Sequence, residues 1–295
     1  MFNRAEPHEY VAAFGARLGL ALFRALSLDA ASAVGGWIGR QLGPHLSVHE
    51  QAKTHLARAM PELDEAKRAA ILRGMWDNLG RVLGEYAHLG DIDIGTPQRP
   101  GRIELVGGEN LDFVRDSGKP AIFISAHYGN WELMSLVATQ WGLPLIHVYR
   151  AANNPLTEEI LQELRKPVGG EHIPKGVQAA REIIKALKRK QSIGMLVDQK
   201  LNTGIPVPFF GRDAMTSPAA AELALKSGCP IVPAYVERLD GARFRVTVEK
   251  PVYFERTGNH ERDVYDATLW INQKIEGWIR ARPDHWFWVH KRWPD

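Results

Sequence analysis

The pattern of hydrophobic and polar positions divides the chain into two parts. Up to residue 90, apolar residues recur at the spacing of amphipathic helices and predict helices at residues 11–28, 30–42, 48–59 and 64–89. The second of these is rich in small residues, which suits close packing against the first. Residues 91–100 contain two prolines and indicate a connector. We therefore predict an N-terminal helical segment over residues 1–90 and a core over residues 101–295, joined as one continuous structural unit.

From Arg102 onward, short apolar runs alternate with longer amphipathic segments. The runs predict strands at residues 103–106, 121–125, 145–149, 193–197, 231–236 and 244–249. The segments between and after them predict helices at residues 131–141, 155–166, 177–190, 219–227 and 264–281. Such alternation is typical of a mostly parallel sheet covered on both faces. We assign the chain to the α/β class, with a mostly parallel central sheet flanked by helices and preceded by the helical segment.

The first predicted helix is the longest apolar segment of the chain, but its pattern is not that of a transmembrane span. Arg17 and Arg24 interrupt it, and their spacing of seven residues places them on nearly one face. The rest of the helix carries Phe14, Leu18, Leu20, Leu22 and Phe23. Two interpretations are open: a helix that lies in a membrane interface with its arginines at the headgroups, or an ordinary core helix with a solvated arginine edge.

Composition narrows the classes of partner. The formal net charge is +3 and the isoelectric point about 8.9. This is too weakly basic to indicate nucleic-acid binding, but it is compatible with an anionic membrane surface or an acidic carrier protein. The single cysteine, Cys229, excludes an internal disulfide and fits a cytoplasmic protein. No pairing of cysteine with histidine resembles a zinc site, so we expect no metal.

His127, just after the strand predicted at residues 121–125, is the strongest candidate for chemistry. A histidine titrates near neutral pH and can take a proton from a hydroxyl, while a nearby carboxylate can hold its tautomer. Glu132 follows five positions later, so the two side chains can meet across the turn. Two further matches to this spacing, which begin at His88 and His290, do not follow an apolar strand.

The residues around His127 indicate what kind of reaction it serves. Gly129 lets the chain turn or a substrate approach closely, and Asn130 can cap the helix that follows. No serine or cysteine stands in a Gly-x-Ser-x-Gly nucleophile elbow. We therefore expect the nucleophile to be a substrate hydroxyl that His127 deprotonates.

Three charged residues elsewhere in the core are candidates for substrate binding. Arg150 ends a predicted strand, where a cation can hold a phosphate or a carboxylate. Asp198 ends another strand and can pair with an arginine or contact the substrate, although a turn or capping role fits equally well. Arg165 lies on the helix predicted at residues 155–166, where a solvated position is an equal alternative.

Two further segments have open interpretations. Residues 207–216 are predicted as an apolar loop whose adjacent phenylalanines either pack inward or line an acyl channel. The helix predicted at residues 177–190 ends in a basic cluster. The cluster either interacts with the helix dipole or docks an acidic acyl carrier protein.

Taken in order, these motifs resemble a known family. The motifs are His127-x4-Glu132, Tyr149-Arg150, Asn154-Pro155, Asp198-Gln199, Pro208-Phe209-Phe210-Gly211, Thr216, Ile231-Val232-Pro233 and Trp288-Val289-His290-Lys291-Arg292-Trp293. From about residue 17 to residue 294, the chain resembles the bacterial late acyltransferases of lipid A biosynthesis, the lauroyl/myristoyl group within the lysophospholipid acyltransferase superfamily. It departs from their pattern at Leu164, where a glycine is usual, and at Lys200, where an acidic or small residue is frequent.

The resemblance implies an α/β acyltransferase core behind an N-terminal membrane-associated helical segment, residues 1–90. It also implies transfer of a fatty acyl chain from acyl carrier protein to a hydroxyl on a 3-hydroxyacyl chain of a lipid A precursor. By position, His127 is the general base and Glu132 its orienting partner. The candidate substrate-binding residues are Asn130, Arg150, Arg165 and Asp198. Acyl carrier protein then brings the acyl thioester as a co-substrate, and no cofactor is bound.

The resemblance also implies a location and a set of partners. We expect a monomer that is peripheral to, or singly anchored at, the cytoplasmic face of the bacterial inner membrane, with its first helix in the interface. Its partners are acyl carrier protein and a membrane lipid acceptor, with no nucleic acid. Three alternatives stay open: an acyltransferase acting on a lysophospholipid, glycerol phosphate or another glycolipid, a hydrolase in which His127 activates water, and a membrane-associated binding protein without catalysis.

Overall fold

The computed structural model describes residues 6–96, 98–149, 151–174 and 177–294. The four helices predicted for the N-terminal segment are confirmed; they are α1 (Pro7–Arg24), α2 (Leu28–Leu42), α3 (Val48–Ala59) and α4 (Glu65–Glu85). Ser27 and Asp64 cap α2 and α4, because their side chains accept hydrogen bonds from backbone N–H groups in the first turn of each helix.

The core contains the remaining elements. In chain order they are β1 (Gly95–Thr96), β2 (Arg99–Pro100), β3 (Ile103–Val106), α5 (Gly108–Ser117), β4 (Ile122–Ser125), α6 (Leu133–Gln140), β5 (Ile146–Tyr149), α7 (Pro155–Arg165), β6 (Glu171–Pro174), α8 (Val177–Lys188), β7 (Ile193–Leu196), β8 (Lys200–Phe209), β9 (Arg212–Thr216), α9 (Ala219–Ser227), β10 (Ile231–Asp240), β11 (Arg243–Val248) and α10 (His260–Ala281). Every strand and helix predicted for the core is present, with ends shifted by a few residues. The sequence did not reveal β6 or α5.

A seven-stranded sheet in the order β3-β11-β10-β4-β7-β5-β6 forms the centre of the core. All neighbours in it run parallel except β10 and β11, which are antiparallel. The exception has a local cause, because the tight turn at Gly241 can join only antiparallel strands, whereas a parallel return needs a long crossover. The predicted mostly parallel α/β sheet is thus confirmed.

Both faces of the sheet are covered by apolar side chains. Along β4, Ile122 and Ile124 face one hydrophobic cluster, and Phe123 faces the other, as the alternation of side chains along a strand requires. The first cluster includes residues of α3, α4, α8, α9 and α10, and the second includes residues of α5 and α6. Side chains of the N-terminal segment therefore share one hydrophobic core with the sheet.

Residues 207–216, predicted as a loop, belong instead to the hairpin β8–β9. The prediction of an apolar loop is wrong because Gly211, at φ +71°, provides a tight turn between two strands. Phe209 and Phe210 contact the rings of Trp286 and Trp293. Of the two interpretations of these phenylalanines, inward packing is therefore confirmed.

Glycines bring α2 into close contact with α4. A Cβ at Gly35 would lie 2.2 Å from the carbonyl oxygen of Gly80, and a Cβ at Gly39 would lie 2.1 Å from that of Trp76. Any side chain would therefore force the helices apart. The small residues of α2 face α4, and the prediction that they pack against the first helix is wrong.

The outer face of α1 exposes large apolar side chains. Phe14, Leu18 and Leu22 are 70%, 52% and 63% exposed, which does not fit an ordinary core helix. Arg24, on the same helix, donates a hydrogen bond to the carbonyl of Ala87 and pairs with Asp91, so it is engaged with the protein. Among the described residues, no helix is both long enough and apolar enough to cross a membrane.

Candidate active site

The site is built where two neighbouring parallel strands end. His127 comes two residues after β4, and Asp198 comes two residues after β7, the strand paired with β4. His127 Nδ1 lies 2.9 Å from Asp198 Oδ1, and the backbone N–H of His127 donates to Asp198 Oδ2 at 2.9 Å. The indole N–H of Trp286 donates to the same Oδ2, also at 2.9 Å. Carboxyl ends of parallel strands commonly present chemistry in this way.

Electrostatics keep Asp198 ionised. Burial raises the pKa of Asp198, but the neighbouring His127 and His290 and the Trp286 hydrogen bond outweigh it and hold the pKa well below its usual range. Asp198 is therefore ionised at neutral pH, and the hydrogen between it and His127 is carried by Nδ1. This tautomer leaves a lone pair on His127 Nε2, where the Gln199 amide nitrogen lies 3.5 Å away.

Glu132 lies in a different network. Its Oε1 accepts hydrogen bonds from the Tyr86 hydroxyl at 2.6 Å and from Arg165 Nη2 at 2.7 Å, and its Oε2 accepts from Arg165 Nε at 3.1 Å. Burial raises the pKa of Glu132, but Arg165 and Tyr86 outweigh it and lower that pKa. Within the described ranges no hydrogen bond joins Glu132 to His127. The contact expected between these two residues is thus replaced by the contact between His127 and Asp198.

Asn130 is buried, and its side chain does not cap the following helix. Its amide donates to Glu85 Oε2 at 2.8 Å, and Glu85 forms a buried ion pair with Arg238. Arg238 Nε donates to Asn78, and Asn78 in turn donates to the carbonyl of Gly129 at 3.0 Å. The turn after His127 is therefore held from beneath by side chains of α4 and β10.

Gly129 is required in this turn. Its φ is +58°, and a Cβ there would lie 2.0 Å from the carbonyl oxygen of Val236. The backbone N–H groups of Asn130 and Trp131, the next two residues, have no hydrogen-bond partner in the described part of the chain. Two N–H groups, three and four residues after His127, are thus left free in the described part of the chain.

The C-terminal segment forms one wall of the site. The backbone N–H of Phe287 donates to the carbonyl of His127 at 3.2 Å, and the rings of His290 and His127 have centroids 4.8 Å apart. Burial, and then the charge of His127, lower the pKa of His290 to about 4, so His290 is neutral at physiological pH. Trp286 and His290 were not predicted as site residues. His290 lies in the terminal motif that carries the family resemblance, and Trp286 lies two residues before it.

An open cleft lies over His127 and Gln199. The described residues that line it are His127, Trp131, Val148, Tyr149, Ala151, Ala152, Asn153, Leu161, Arg165, Leu196, Gln199, Lys200, His290 and Lys291. No serine, threonine or cysteine is among them. Of the predicted substrate-binding residues, Arg165 lines the cleft, Asp198 lies beneath His127, Asn130 is buried, and Arg150 lies outside the described residues. In the described ranges no group of three or more His, Cys, Asp or Glu residues is arranged to hold a metal ion.

A second, partly enclosed pocket lies beside the cleft. Its lining combines apolar side chains with the polar residues Ser125, Glu132, Ser135, His147, Tyr149, Arg165 and His172. His147 and His172 stack with centroids 5.1 Å apart. Burial, and then the charge of His172, lower the pKa of His147 to about 4.

The fold belongs to the α/β class, and the site holds groups suited to acid–base chemistry. A histidine with an oriented imidazole faces an open cleft, and the described residues lining that cleft include no serine, threonine or cysteine. The model of the bacterial lipid A biosynthesis acyltransferase family matches residues 3–295. The chain belongs to this family of acyltransferases.

The individual relatives are acyltransferases named for two kinds of lipid acceptor. The chain is 24% identical over 245 residues to the lipid A biosynthesis lauroyltransferase of Escherichia coli K12, covering 81% of this chain and 76% of that protein. It is 24% identical over 269 residues to the lipid A biosynthesis palmitoleoyltransferase of the same organism, covering 88% and 83%. It is also 23% identical over 286 residues to the phosphatidylinositol mannoside acyltransferase of Mycolicibacterium smegmatis, covering 95% and 90%.

Proposed function

We propose that this protein transfers a fatty acyl chain from acyl carrier protein to a hydroxyl of a lipid A precursor, with His127 as the general base. One observation carries the proposal: the imidazole of His127 is held at Nδ1 by Asp198 and turns Nε2 toward an open cleft. A base with this geometry can take a proton from a bound hydroxyl. Membership of the lipid A acyltransferase family supports the choice of acyl transfer to such a lipid.

The proposed reaction needs no covalent enzyme intermediate. His127 Nε2 removes the proton of the acceptor hydroxyl as its oxygen attacks the thioester carbonyl. The new C–O bond forms, the C–S bond breaks, and the proton passes from the imidazolium to the departing thiolate. The carboxylate of Asp198 stabilises the imidazolium between these steps. Its position under the ring gives it the role that the sequence assigned to Glu132.

The negative charge on the carbonyl oxygen also needs a partner. The free N–H groups of Asn130 and Trp131 are the candidates, since preformed donors beside the base stabilise an oxyanion without reorganisation. In this proposal Asn130 acts through its backbone. Arg165 is proposed as a substrate-binding residue because it reaches the cleft while its ion pair with Glu132 fixes the guanidinium.

We propose that α1 binds the membrane surface that supplies the acceptor. The carbonyl of Glu9 on α1 accepts a hydrogen bond at 3.0 Å from Asn154, which caps α7, and α7 contributes Leu161 and Arg165 to the cleft. The exposed face with Phe14, Leu18 and Leu22 therefore lies on a helix that contacts the cleft wall. An interfacial helix with such a face inserts apolar side chains below the headgroups. The cytoplasmic face of the inner membrane is the location that fits a cytosolic carrier protein.

A second acceptor class has support of its own. Two relatives are phosphatidylinositol mannoside acyltransferases, and they match 95% and 63% of this chain. Acylation of another membrane glycolipid would use the same base and the same cleft. Only the groups that surround the acceptor hydroxyl would differ.

The test is an assay with purified protein, acyl-carrier-protein thioesters of several chain lengths and a tetra-acylated lipid A precursor. We expect a product heavier by one acyl chain, and a loss of about 10²–10⁴ in turnover for His127→Ala. His260→Ala is the matched control, because His260 is exposed at the start of α10. Transfer to a mannoside or a lysophospholipid but not to the lipid A precursor would contradict the proposed acceptor. Undiminished transfer by His127→Ala would contradict the mechanism.

A further inference from the structure

The cleft over His127 is lined by more positive than negative side chains. Its described lining contains Arg165, Lys200 and Lys291 but no aspartate or glutamate. Arg165 is paired with Glu132, whereas the ammonium groups of Lys200 and Lys291 have no hydrogen-bond or ion-pair partner in the described part of the chain. The whole chain is nearly balanced, with a formal net charge of +3. Two unpaired lysines in one cleft are therefore a local feature of the site.

The chain positions both lysines beside the proposed base. Lys200 directly follows Gln199, whose amide nitrogen lies 3.5 Å from His127 Nε2. Lys291 directly follows His290, which lies 3.3 Å from the same amide and contacts the ring of His127. Pairing of Lys200 with Thr216 in the β8–β9 hairpin fixes the backbone on one side. Both lysines thus lie near the point where a hydroxyl must bind to lose its proton.

We infer that Lys200 and Lys291 bind an anionic group, a phosphate or carboxylate, carried by the acceptor lipid near its reacting hydroxyl. The inference rests on the proposed function and specifies its acceptor. A lysine ammonium forms charge-assisted hydrogen bonds with such groups. The lysines adjoin Gln199 and His290, on the side of Nε2 that receives the hydroxyl. The carbonyl of the donor would bind at the free N–H groups of Asn130 and Trp131. The Trp131 ring has its centroid 5.2 Å from that of His127.

A phosphate is also present on the phosphopantetheine arm of the donor, so the experiment must separate the two sources. The acceptor probes are a phosphorylated tetra-acylated lipid A precursor and the same lipid after phosphatase treatment. The donor is one acyl-carrier-protein thioester, varied in concentration. The variants are Lys200→Gln, Lys291→Gln and the double variant, with Lys200→Arg/Lys291→Arg as the conservative pair. Lys226→Gln, at the exposed end of α9, is the matched control.

We expect each glutamine substitution to raise the KM for the phosphorylated acceptor about tenfold or more, with kcat nearly unchanged. The KM for the donor stays at its wild-type value, and the arginine pair keeps a low acceptor KM. The phosphatase-treated lipid binds weakly to the wild type, and the lysine substitutions reduce its affinity little further. Binding of both lipids in detergent micelles to His127→Ala, with and without the lysine substitutions, is measured alongside because it needs no turnover.

Two results would overturn the inference. A rise in the donor KM instead of the acceptor KM would assign the lysines to the carrier protein. Equal effects on the phosphorylated and phosphatase-treated lipids, in turnover or in binding, would show that the lysines do not recognise an anion. Failure of the proposed function is a distinct outcome, because the wild type itself would then transfer no acyl chain. The measurement of lipid binding would still test the inference in that case.

Discussion

Two buried carboxylates, Asp198 and Glu132, belong to the candidate site, and their partners separate their roles. Asp198 contacts the imidazole and the Trp286 indole, whereas Glu132 holds Arg165 and Tyr86. The spacing in the sequence favours Glu132 because only local distances are visible there. Asp198 is 71 residues from His127, and only the pairing of β4 with β7 brings the two together. Sequence can thus point to His127 as the proposed base, but the partner of His127 depends on tertiary contacts.

His147 makes stability depend on pH. Its pKa is lowered to about 4 in the folded protein, against 6.5 for an ordinary histidine, so the unfolded chain binds more protons between these values. The stabilisation is complete above pH 6.5 and is lost as the pH falls toward 4. We expect His147→Gln to flatten the rise of the unfolding free energy across this window by up to about 3 kcal/mol.

Urea denaturation at a series of pH values measures this effect. His260→Gln, which removes an exposed histidine, is the control and keeps the wild-type slope. A His147→Gln profile with an unchanged slope between pH 4 and pH 6.5 would mean that His147 is not buried in its neutral form.

At the scale of elements, the ion pair between Glu85 and Arg238 joins α4 to β10 beneath the turn that follows His127. Both side chains are buried, and Glu85 also accepts a hydrogen bond from Ser32 at 2.7 Å. Removal of one partner leaves an uncompensated buried charge. We expect Glu85→Leu and Arg238→Met each to destabilise the protein by about 3–5 kcal/mol.

The double variant Glu85→Leu/Arg238→Met completes this cycle. Because it leaves no isolated charge, its loss in the unfolding free energy should be smaller than the sum of the two single losses. Exposed Arg262 and Asp266 on α10 form the control ion pair. Their interaction should contribute less than about 1 kcal/mol to the free energy of unfolding. Strict additivity of the Glu85 and Arg238 losses would show that the two side chains do not interact.

Sequence predicts those elements whose cause is local. The buried strands and amphipathic helices of the core follow from periodicity, and Asp64 marks the start of α4. Edge strand β6 has half of its short length exposed and no apolar run to reveal it. The hairpin β8–β9 was missed because prolines and a polar start obscure the alternation along β8. The direction of β11 depends on the turn at Gly241, which composition alone does not specify.

At the scale of the whole molecule, the fold brings an apolar helix, a cleft and a sheet edge to one region. Substitution of Phe14, Leu18 and Leu22 by serine should weaken binding to vesicles of anionic phospholipid by more than about a hundredfold, since each buried large apolar side chain contributes about 1.5–3 kcal/mol. Sedimentation with vesicles measures the partition coefficient. Activity toward acceptor in detergent micelles should change little, because none of the three residues lines the cleft.

The control for membrane binding is Phe113→Ser on α5, which removes another exposed aromatic ring. It should partition like the wild type. Wild-type partition of the α1 triple variant would show that the outer face of α1 does not contact the membrane.

The central claim is that His127 and Asp198 act as one catalytic unit. Its most direct test is kcat for acyl transfer by His127→Ala, Asp198→Asn, the double variant and Glu132→Gln in one assay. We expect Asp198→Asn to lower kcat by about 10³–10⁴, close to the loss caused by His127→Ala, and the double variant to lose no more than either alone. Glu132→Gln should lower kcat less, because the hydrogen bonds of Glu132 go to Arg165 and Tyr86 and not to His127. Near wild-type turnover by Asp198→Asn, together with loss of turnover by Glu132→Gln, would contradict the account.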